Sequence, residues 1–138
     1  MLEKGYKKLI YVKPELQQRN TFAQTERLNS FTFACEKAGV SFVVADMAYA
    51  EKELSPNTPC ALVCPTDIYA IKLLRVAQKY GAGIIGFDNL RLIDDLELPL
   101  DSVSYDIDLT AQNAIDHIVN GAPITASIPY KIAKRGSV

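Results

Sequence analysis

The feature that most constrains this chain is residues 61–88, where two short apolar runs flank an amphipathic segment. The runs are ALVC at residues 61–64 and GIIGF at residues 83–87, and turn-forming residues bound both. Residues 67–80, between them, carry apolar side chains at helical spacing and end at a glycine. A continuous apolar run is typical of a strand buried on both faces of a parallel sheet. The pattern therefore predicts a β-α-β unit and an α/β fold.

Polar side chains follow both predicted strands. Thr66 and Asp67 come after the first strand, and Asp88 comes after the second. Ligands of open α/β sheets bind at the carboxyl ends of the strands, so these side chains predict one binding rim. Structural alternatives stay open, because Thr66 or Asp67 can cap the following helix and an Asp-Asn pair can form a turn.

The rest of the chain continues the alternation of strands and helices. Further strands are predicted at residues 9–12, 41–45, 102–105 and 127–133, and further helices at residues 23–38 and from 106 or 108 to 119. Pro129 favours an edge position for the last strand. The remaining segments are predicted as a helix end at residues 1–6, loops at 14–21 and 89–99, a connection at 47–59 with one turn near 51–54, and a basic, mobile end at 134–137.

Composition excludes several classes of protein. A net charge of −1 provides no basic field for nucleic acid. We find no apolar run long enough to span a membrane and no signal peptide, which predicts a cytoplasmic protein. Cys35, Cys60 and Cys64 fall on predicted apolar faces, so buried free thiols are expected. Cysteine spacing and the single histidine, His117, match no metal site, so neither a metal nor a cofactor is expected.

Arg27 lies early in the predicted helix at residues 23–38. An arginine there is either a solvated surface charge or a guanidinium that faces a ligand beside the strand ends. With Asp88, which can accept hydrogen bonds from hydroxyl groups, it suits a sugar, a nucleoside, a purine or an anionic ligand. An enzyme is not expected, since Cys64 and Ser30 have no evident base and no glycine-rich phosphate loop follows a strand.

Six segments in register resemble the effector-binding module of the lactose repressor/galactose repressor family of bacterial transcription regulators. The segments are LEKGYKKLIYV, ERLNSF, ALVCPTDIYAIKLLRVAQKYG, IIGFDNL, LPLDSVSYD and IAKRGSV, and together they span nearly the whole chain. The resemblance implies a periplasmic-binding-protein-like type I fold, a Rossmann-like three-layer α/β/α parallel sheet, of which this chain is the C-terminal half. It implies subdomain boundaries of about 7–101 and 126–138, with residues 1–6 and 102–125 belonging to the other subdomain.

The resemblance also implies site residues and partners. Arg27 and Asp88 match positions that contact the hydroxyl groups of the effector, and Thr66 and Asp67 match an Asn-Asp pair. Arg19 lies in a loop that adds contacts, and Tyr105 lies where a crossing strand lines the cleft. A homodimer is implied through residues 71–76 and 90–96. Asp46 and Met47 occupy positions where an acidic or aromatic contact is often found.

Departures from the family pattern qualify these implications. Thr66 replaces an asparagine, and the link at residues 47–59 lacks most of a helix. The family's helix-turn-helix and first subdomain have no counterpart in these residues, so operator DNA would be bound only through an N-terminal domain. The helix near residues 108–119 would then lack a sheet to cover its apolar side, which predicts either a longer protein or exchange between two copies. A transport-type sugar-binding protein of the same fold is the alternative function.

Overall fold

The computed structural model of the chain describes residues 5–14, 22–123 and 128–138. Within these residues the strands are β1 Lys8–Val12, β2 Ser41–Ala45, β3 Cys60–Val63, β4 Gly83–Phe87, β5 Asp101–Tyr105 and β6 Tyr130–Ala133. The helices are α1 Phe22–Ala38, α2 Met47–Lys52, α3 Asp67–Tyr80, α4 Arg91–Asp95 and α5 Ile107–Asn120. The strands form one sheet in the order β2-β1-β3-β4-β5-β6, in which only β6 is antiparallel to its neighbour. The first five strands therefore end at one edge, called the carboxyl edge below.

Helices cover both faces of the sheet, which gives three α/β/α layers. On one face, α2 and α3 pack over fully buried side chains such as Ile10, Leu62 and Ile84. On the other face, α1 contributes only one fully buried side chain, Cys35, which packs with Leu9 at 7% exposure. The apolar runs of the sequence are β3 and β4. Helix α3 covers both strands on one face, and on the other face α1 reaches Ala61 of β3. The predicted α/β fold class is confirmed.

Most predicted elements lie where the sequence placed them. The bounds of β2, α3 and β4 match residue for residue, and the starts of β3, α1 and β5 differ by one residue. The last strand lies at the edge, as the proline at its start predicted, and it is described from Tyr130 onwards. The prediction for residues 1–4 and most of the loop at 14–21 lie outside the described residues.

Two predicted connections contain helices. The turn placed near residues 51–54 is instead the helix α2, which begins earlier because the side chain of Asp46 accepts a hydrogen bond from the Tyr49 N–H group over 2.8 Å. The predicted loop at residues 89–99 contains α4, which is anchored by the fully buried side chain of Ile93. Each helix has at most six residues, too few for the periodicity of side chains to be recognised.

The prediction of a mobile basic end was wrong. The backbone N–H groups of Arg135, Gly136 and Ser137 all donate to Oδ1 of Asp101. The Ser137 hydroxyl donates to the carbonyl oxygen of Ile84 over 2.6 Å. One buried carboxylate thus satisfies three successive backbone donors, which holds the segment against β4 and β5.

Helix α5 lies apart from the core and has no buried residue. Ile118 and Val119 are 80% and 72% exposed, and Ile107 and Ile115 are more than half exposed. The prediction that the apolar side of this helix lacks a sheet to cover is therefore confirmed. On the α1 face of the sheet, an apolar groove of about 640 Å³ is also open, lined among others by Phe31, Val63, Ile85, Val103 and Tyr130. No helix of the described residues is long and apolar enough to cross a membrane.

Candidate ligand-binding site

Arg27 and Asp88 meet at the carboxyl edge, although 61 residues separate them in the sequence. Nη2 of Arg27 donates to Oδ1 of Asp88 over 3.2 Å, and Nη1 donates to the carbonyl oxygen of Pro65 over 2.7 Å. The guanidinium also covers the ring of Phe87, with Cζ 3.6 Å from the ring centroid. These contacts from α1, the end of β3 and the end of β4 fix the orientation of the guanidinium.

The ion pair leaves hydrogen-bonding capacity for a ligand. The side chains of Arg27 and Asp88 are 23% and 28% exposed, and a single contact of 3.2 Å joins them. A partly exposed pair of this kind contributes little to stability. Hydroxyl groups of a ligand can therefore form hydrogen bonds with the guanidinium of Arg27 and the carboxylate of Asp88, and little stabilising free energy is lost if the ion pair weakens.

Asp67 lies next to this pair but is fully buried. Its Oδ1 atom accepts a hydrogen bond from the Ser102 hydroxyl over 2.6 Å, and its Oδ2 atom accepts one from the Leu90 N–H group over 2.7 Å. Both carboxylate oxygens are thus occupied inside the protein. The structure places this predicted contact residue beneath the binding rim and not on it.

The backbone that carries Asp88 is held in an uncommon conformation. Asp88 and Asn89 have φ angles of 102° and 51°, which residues with a Cβ atom adopt at a cost of about 1–3 kcal/mol. Three hydrogen bonds hold these two residues. The Asp88 N–H group donates to the Val103 carbonyl over 3.0 Å, the Asn89 N–H group donates to the Ser102 hydroxyl oxygen over 3.0 Å, and Oδ1 of Asn89 accepts from Arg135 over 2.8 Å.

The charges of the site are coupled. Burial raises the pKa of Asp88 above its ordinary value, Arg27 acts in the opposite direction, and the Asp67 carboxylate raises it further. Burial also raises the pKa of Asp67, and its hydrogen bonds from Ser102 and Leu90 partly offset that effect. The ionised forms of the two carboxylates are therefore stabilised by neighbouring donors, Arg27 for Asp88 and the Ser102 and Leu90 groups for Asp67.

The other predicted contact residues are placed differently. Thr66 is the N-cap residue of α3 and makes no capping hydrogen bond, and its partly exposed side chain lies at the carboxyl edge. Tyr105 ends β5 and is 41% exposed. Arg19 lies outside the described residues. Asp46 is exposed and caps α2, which accounts for one of its side-chain oxygens.

Sequence reasoning missed several residues that shape the site. Phe87 supports the guanidinium, and Ser102 and Arg135 hold the 88–90 turn. Tyr11 was assigned only to a strand, yet its 2% exposed side chain has a hydroxyl without a hydrogen-bond partner, and burial raises its pKa to about 12. Ser102 gave a signal in the sequence, because a serine in an otherwise apolar strand needs a polar partner when it is buried.

Cys35, Cys60 and Cys64 are buried free thiols, as predicted. Burial raises the pKa of Cys64, so its sulfur remains protonated and unreactive. Among the described residues no group of three or more His, Cys, Asp or Glu side chains could hold a metal ion.

No protein-family model matches the sequence, and no curated protein is significantly similar to it. Solved structures share its fold. A LacI-family transcriptional regulatory protein from Corynebacterium glutamicum superposes with a TM-score of 0.76 at 18% identity. A complex of the transcriptional regulator CelR with cellobiose gives 0.69 at 20% identity. A periplasmic binding protein/LacI transcriptional regulator from Alkaliphilus metalliredigens QYMF with D-xylulofuranose gives 0.62 at 21% identity.

Each superposition covers 99% of this chain, but only 60%, 48% and 58% of the respective neighbour. The chain thus spans about half the length of these regulators. It has the periplasmic-binding-protein-like α/β fold of LacI-family transcriptional regulators and matches about half of each of them. The expected fold, and the resemblance on which it rested, are confirmed at this level.

Proposed function

We propose that this chain is the effector-binding part of a cytoplasmic transcription regulator of the lactose repressor/galactose repressor type, and that it binds a sugar or a related polyhydroxylated molecule. The observation that carries the proposal is the partly exposed Arg27–Asp88 pair at the carboxyl edge. Two of the neighbours described above were solved with sugars, cellobiose and D-xylulofuranose. Their description as regulators favours this function over transport, and we assign no catalytic activity to the chain.

Within the site we assign direct contacts to Arg27, Asp88 and Thr66. Arg27 supplies N–H donors, Asp88 supplies carboxylate acceptors, and the Thr66 hydroxyl can do either. Arg19 and Tyr105 are proposed as further contacts. This donor and acceptor set matches vicinal hydroxyl groups, which present both functions at a fixed spacing.

The rest of the effector module is proposed to supply the other side of a cleft. The exposed apolar side of α5 and the open groove on the α1 face are surfaces that a second α/β subdomain can cover. A ligand that binds both sides would favour a closed arrangement and so change operator affinity in the complete regulator. The dimer is proposed to form through residues 71–76 and 90–96, where Leu92 and Leu96 are 42% and 54% exposed.

A titration tests the proposed function. The ¹⁵N-labelled chain is titrated separately with D-ribose, D-xylose, D-glucose, cellobiose and adenosine, while amide and arginine side-chain resonances are followed by NMR. At least one compound is expected to shift the signals of Arg27, Thr66 and Asp88. NMR suits this test because a single side of a cleft binds weakly.

Variants show whether the assigned contacts carry the binding. Arg27→Ala and Asp88→Asn are each expected to weaken binding at least about tenfold, because each leaves ligand hydroxyl groups without a charged partner. Lys37→Ala, on the same helix as Arg27, and Glu51→Gln, an exposed carboxylate, are the matched controls. A folded chain that binds none of the five compounds, or an Arg27→Ala chain that binds normally, would contradict the proposal.

A further inference from the structure

Asp67 is the most buried charged side chain beside the ligand rim, and its partners indicate what it does. It is 0% exposed, as is Ser102, the residue that donates to it. Its second oxygen accepts from the backbone of Leu90. A carboxylate enclosed in this way cannot reach a ligand at the rim without breaking both hydrogen bonds. The hydrogen bonds of the Asp67 carboxylate instead connect it to the turn at residues 88–90, directly through Leu90 and indirectly through Ser102.

The turn needs such contacts because its backbone is strained. Asp88 and Asn89 both have positive φ angles although neither is glycine. Asp67 holds the N–H group of Leu90, and the Ser102 hydroxyl holds that of Asn89 while donating to Asp67. The two side chains thus act as one unit on two successive backbone donors, directly after the residue that faces Arg27. Strained backbone persists only where its surroundings hold it in this way.

Gly86 provides a second, independent indication. A Cβ atom at this position would overlap Oδ1 of Asp67 and lie 3.1 Å from the Asp67 Cα atom. Gly86 is buried in β4, two residues before Asp88, and its own φ angle is ordinary. Glycine is therefore required here by the space that the Asp67 carboxylate occupies, not by the conformation of the strand. The close approach is what brings the carboxylate within reach of Ser102 and the turn.

We propose that Asp67 is a positioning residue and not a ligand contact: with Ser102, its buried carboxylate holds the 88–90 turn, with Asp88 and Asn89 at positive φ angles, so that Asp88 is directed toward Arg27 and the bound sugar. The role in sugar binding rests on the proposed function, whereas the effect on the direction of Asp88 does not. The affinity for the effector is thereby set in part by two side chains that the effector never touches.

The test compares Asp67→Asn and Ser102→Ala with Ile10→Val. Asp67→Asn replaces one acceptor by an amide donor. Ser102→Ala removes the acceptor of the Asn89 N–H group and one of the donors to the Asp67 carboxylate. Ile10→Val removes one methylene group from a fully buried site on β1, and it serves as a control for a general loss of stability. Two readouts are taken, the NMR signals of Asp88 and Arg27 without ligand and the titration with the five compounds.

Both variants are expected to shift the Asp88 carboxyl carbon and Arg27 guanidinium signals, speed the amide exchange of Asn89 and Leu90, and weaken binding about tenfold. Ile10→Val should change none of these. In the Ser102→Ala chain, adding Asn89→Gly should restore the Asp88 signal only in part, because glycine adopts a positive φ angle without strain but the hydrogen bond from Arg135 to the Asn89 side chain is lost. A merely structural role would not give this recovery.

The outcomes separate the inference from the proposed function. Altered Asp88 and Arg27 signals in a chain that binds none of the compounds would support the positioning role while the proposed function fails. Normal Asp88 signals and normal affinity in both variants would overturn the positioning role, even if sugar binding is confirmed. If Asp67→Asn does not fold, Ser102→Ala with its Asn89→Gly partner decides the question.

Discussion

Two glycines of β4 allow the packing of the Asp67 carboxylate to be tested by stability alone. Gly86 and Gly83 are both buried and both have ordinary φ angles, so alanine can adopt either backbone conformation. At Gly83 a Cβ atom would meet the hydroxyl oxygen and Cζ of Tyr6 at 2.5 and 2.7 Å. At Gly86 it would meet the Asp67 carboxylate and backbone. Gly83→Ala thus requires the Tyr6 ring to move, whereas Gly86→Ala requires Asp67 to move.

The expected magnitudes differ because the neighbours differ. Tyr6 is partly exposed, so its ring can turn toward solvent, and we expect Gly83→Ala to cost about 1 kcal/mol. Asp67 cannot turn away without losing the hydrogen bonds to Ser102 and Leu90, each worth about 1.5–3 kcal/mol for an ionised acceptor. Alanine also restricts the unfolded chain more than glycine does, which offsets the loss of stability by less than about 1 kcal/mol. We therefore expect Gly86→Ala to lower the free energy of unfolding by about 3–5 kcal/mol.

Urea unfolding followed by circular dichroism measures both values, and amide exchange of Leu90 reports the local effect. The Leu90 amide should lose its protection in Gly86→Ala and keep it in Gly83→Ala. Equal losses of stability in the two variants would refute the reasoning. Retention of Leu90 protection in a folded Gly86→Ala chain would also refute it, because the carboxylate would then have found room that the structure does not show.

Two further predictions concern the parts of the chain outside the ligand rim. Burial acts to raise the pKa of Asp101, but the N–H groups of residues 135–138 hold it below its ordinary value, so this carboxylate stabilises the fold above about pH 3.9. That contribution should be lost as the pH falls through the lowered pKa, and Gly136 amide exchange should rise with it. Asp101→Asn should give rapid exchange at every pH, and an unchanged pH profile in this variant would contradict the assignment. The paired substitution of Ile118→Glu and Val119→Lys should change the free energy of unfolding by less than about 0.5 kcal/mol, since both side chains are largely exposed. It should reduce self-association in light scattering, and a large destabilisation would show that α5 is packed in solution.

The parallel strands at the centre of the sheet were predictable from the sequence because β3 and β4 are buried along most of their length. Runs such as residues 83–87 have no polar residue to place at a surface, so a parallel strand between two helix layers is the arrangement they favour. Gly81 marked the end of α3 for a local reason, its φ angle of 63° at the C-cap. The exposed apolar side of α5 was predictable as well, since the resemblance assigned this helix to another subdomain.

The short helices and the docked carboxyl-terminal segment could not be read from the sequence. α4 is positioned by the burial of Ile93, and residues 135–137 are held by Asp101 on a strand more than thirty residues away. Nothing in the sequence of residues 134–137 marks them as ordered, because the carboxylate that fixes them is distant along the chain. Contacts of this kind depend on the finished fold and leave no periodic pattern.

The rule that ligands bind at the carboxyl ends of parallel strands predicted part of the candidate site but not all of it. The rule placed Thr66, Asp67 and Asp88 at one edge correctly, since polar residues after parallel strands must gather there. It could not tell which of them is exposed at that edge, because exposure depends on neighbours from other strands. Asp67 is buried below the rim because its carboxylate accepts a hydrogen bond from Ser102 on β5. Gly86 on β4, which has no side chain, leaves room for that carboxylate. Asp67, which the sequence predicted as a contact, is buried there, and we propose that it supports the turn that carries Asp88.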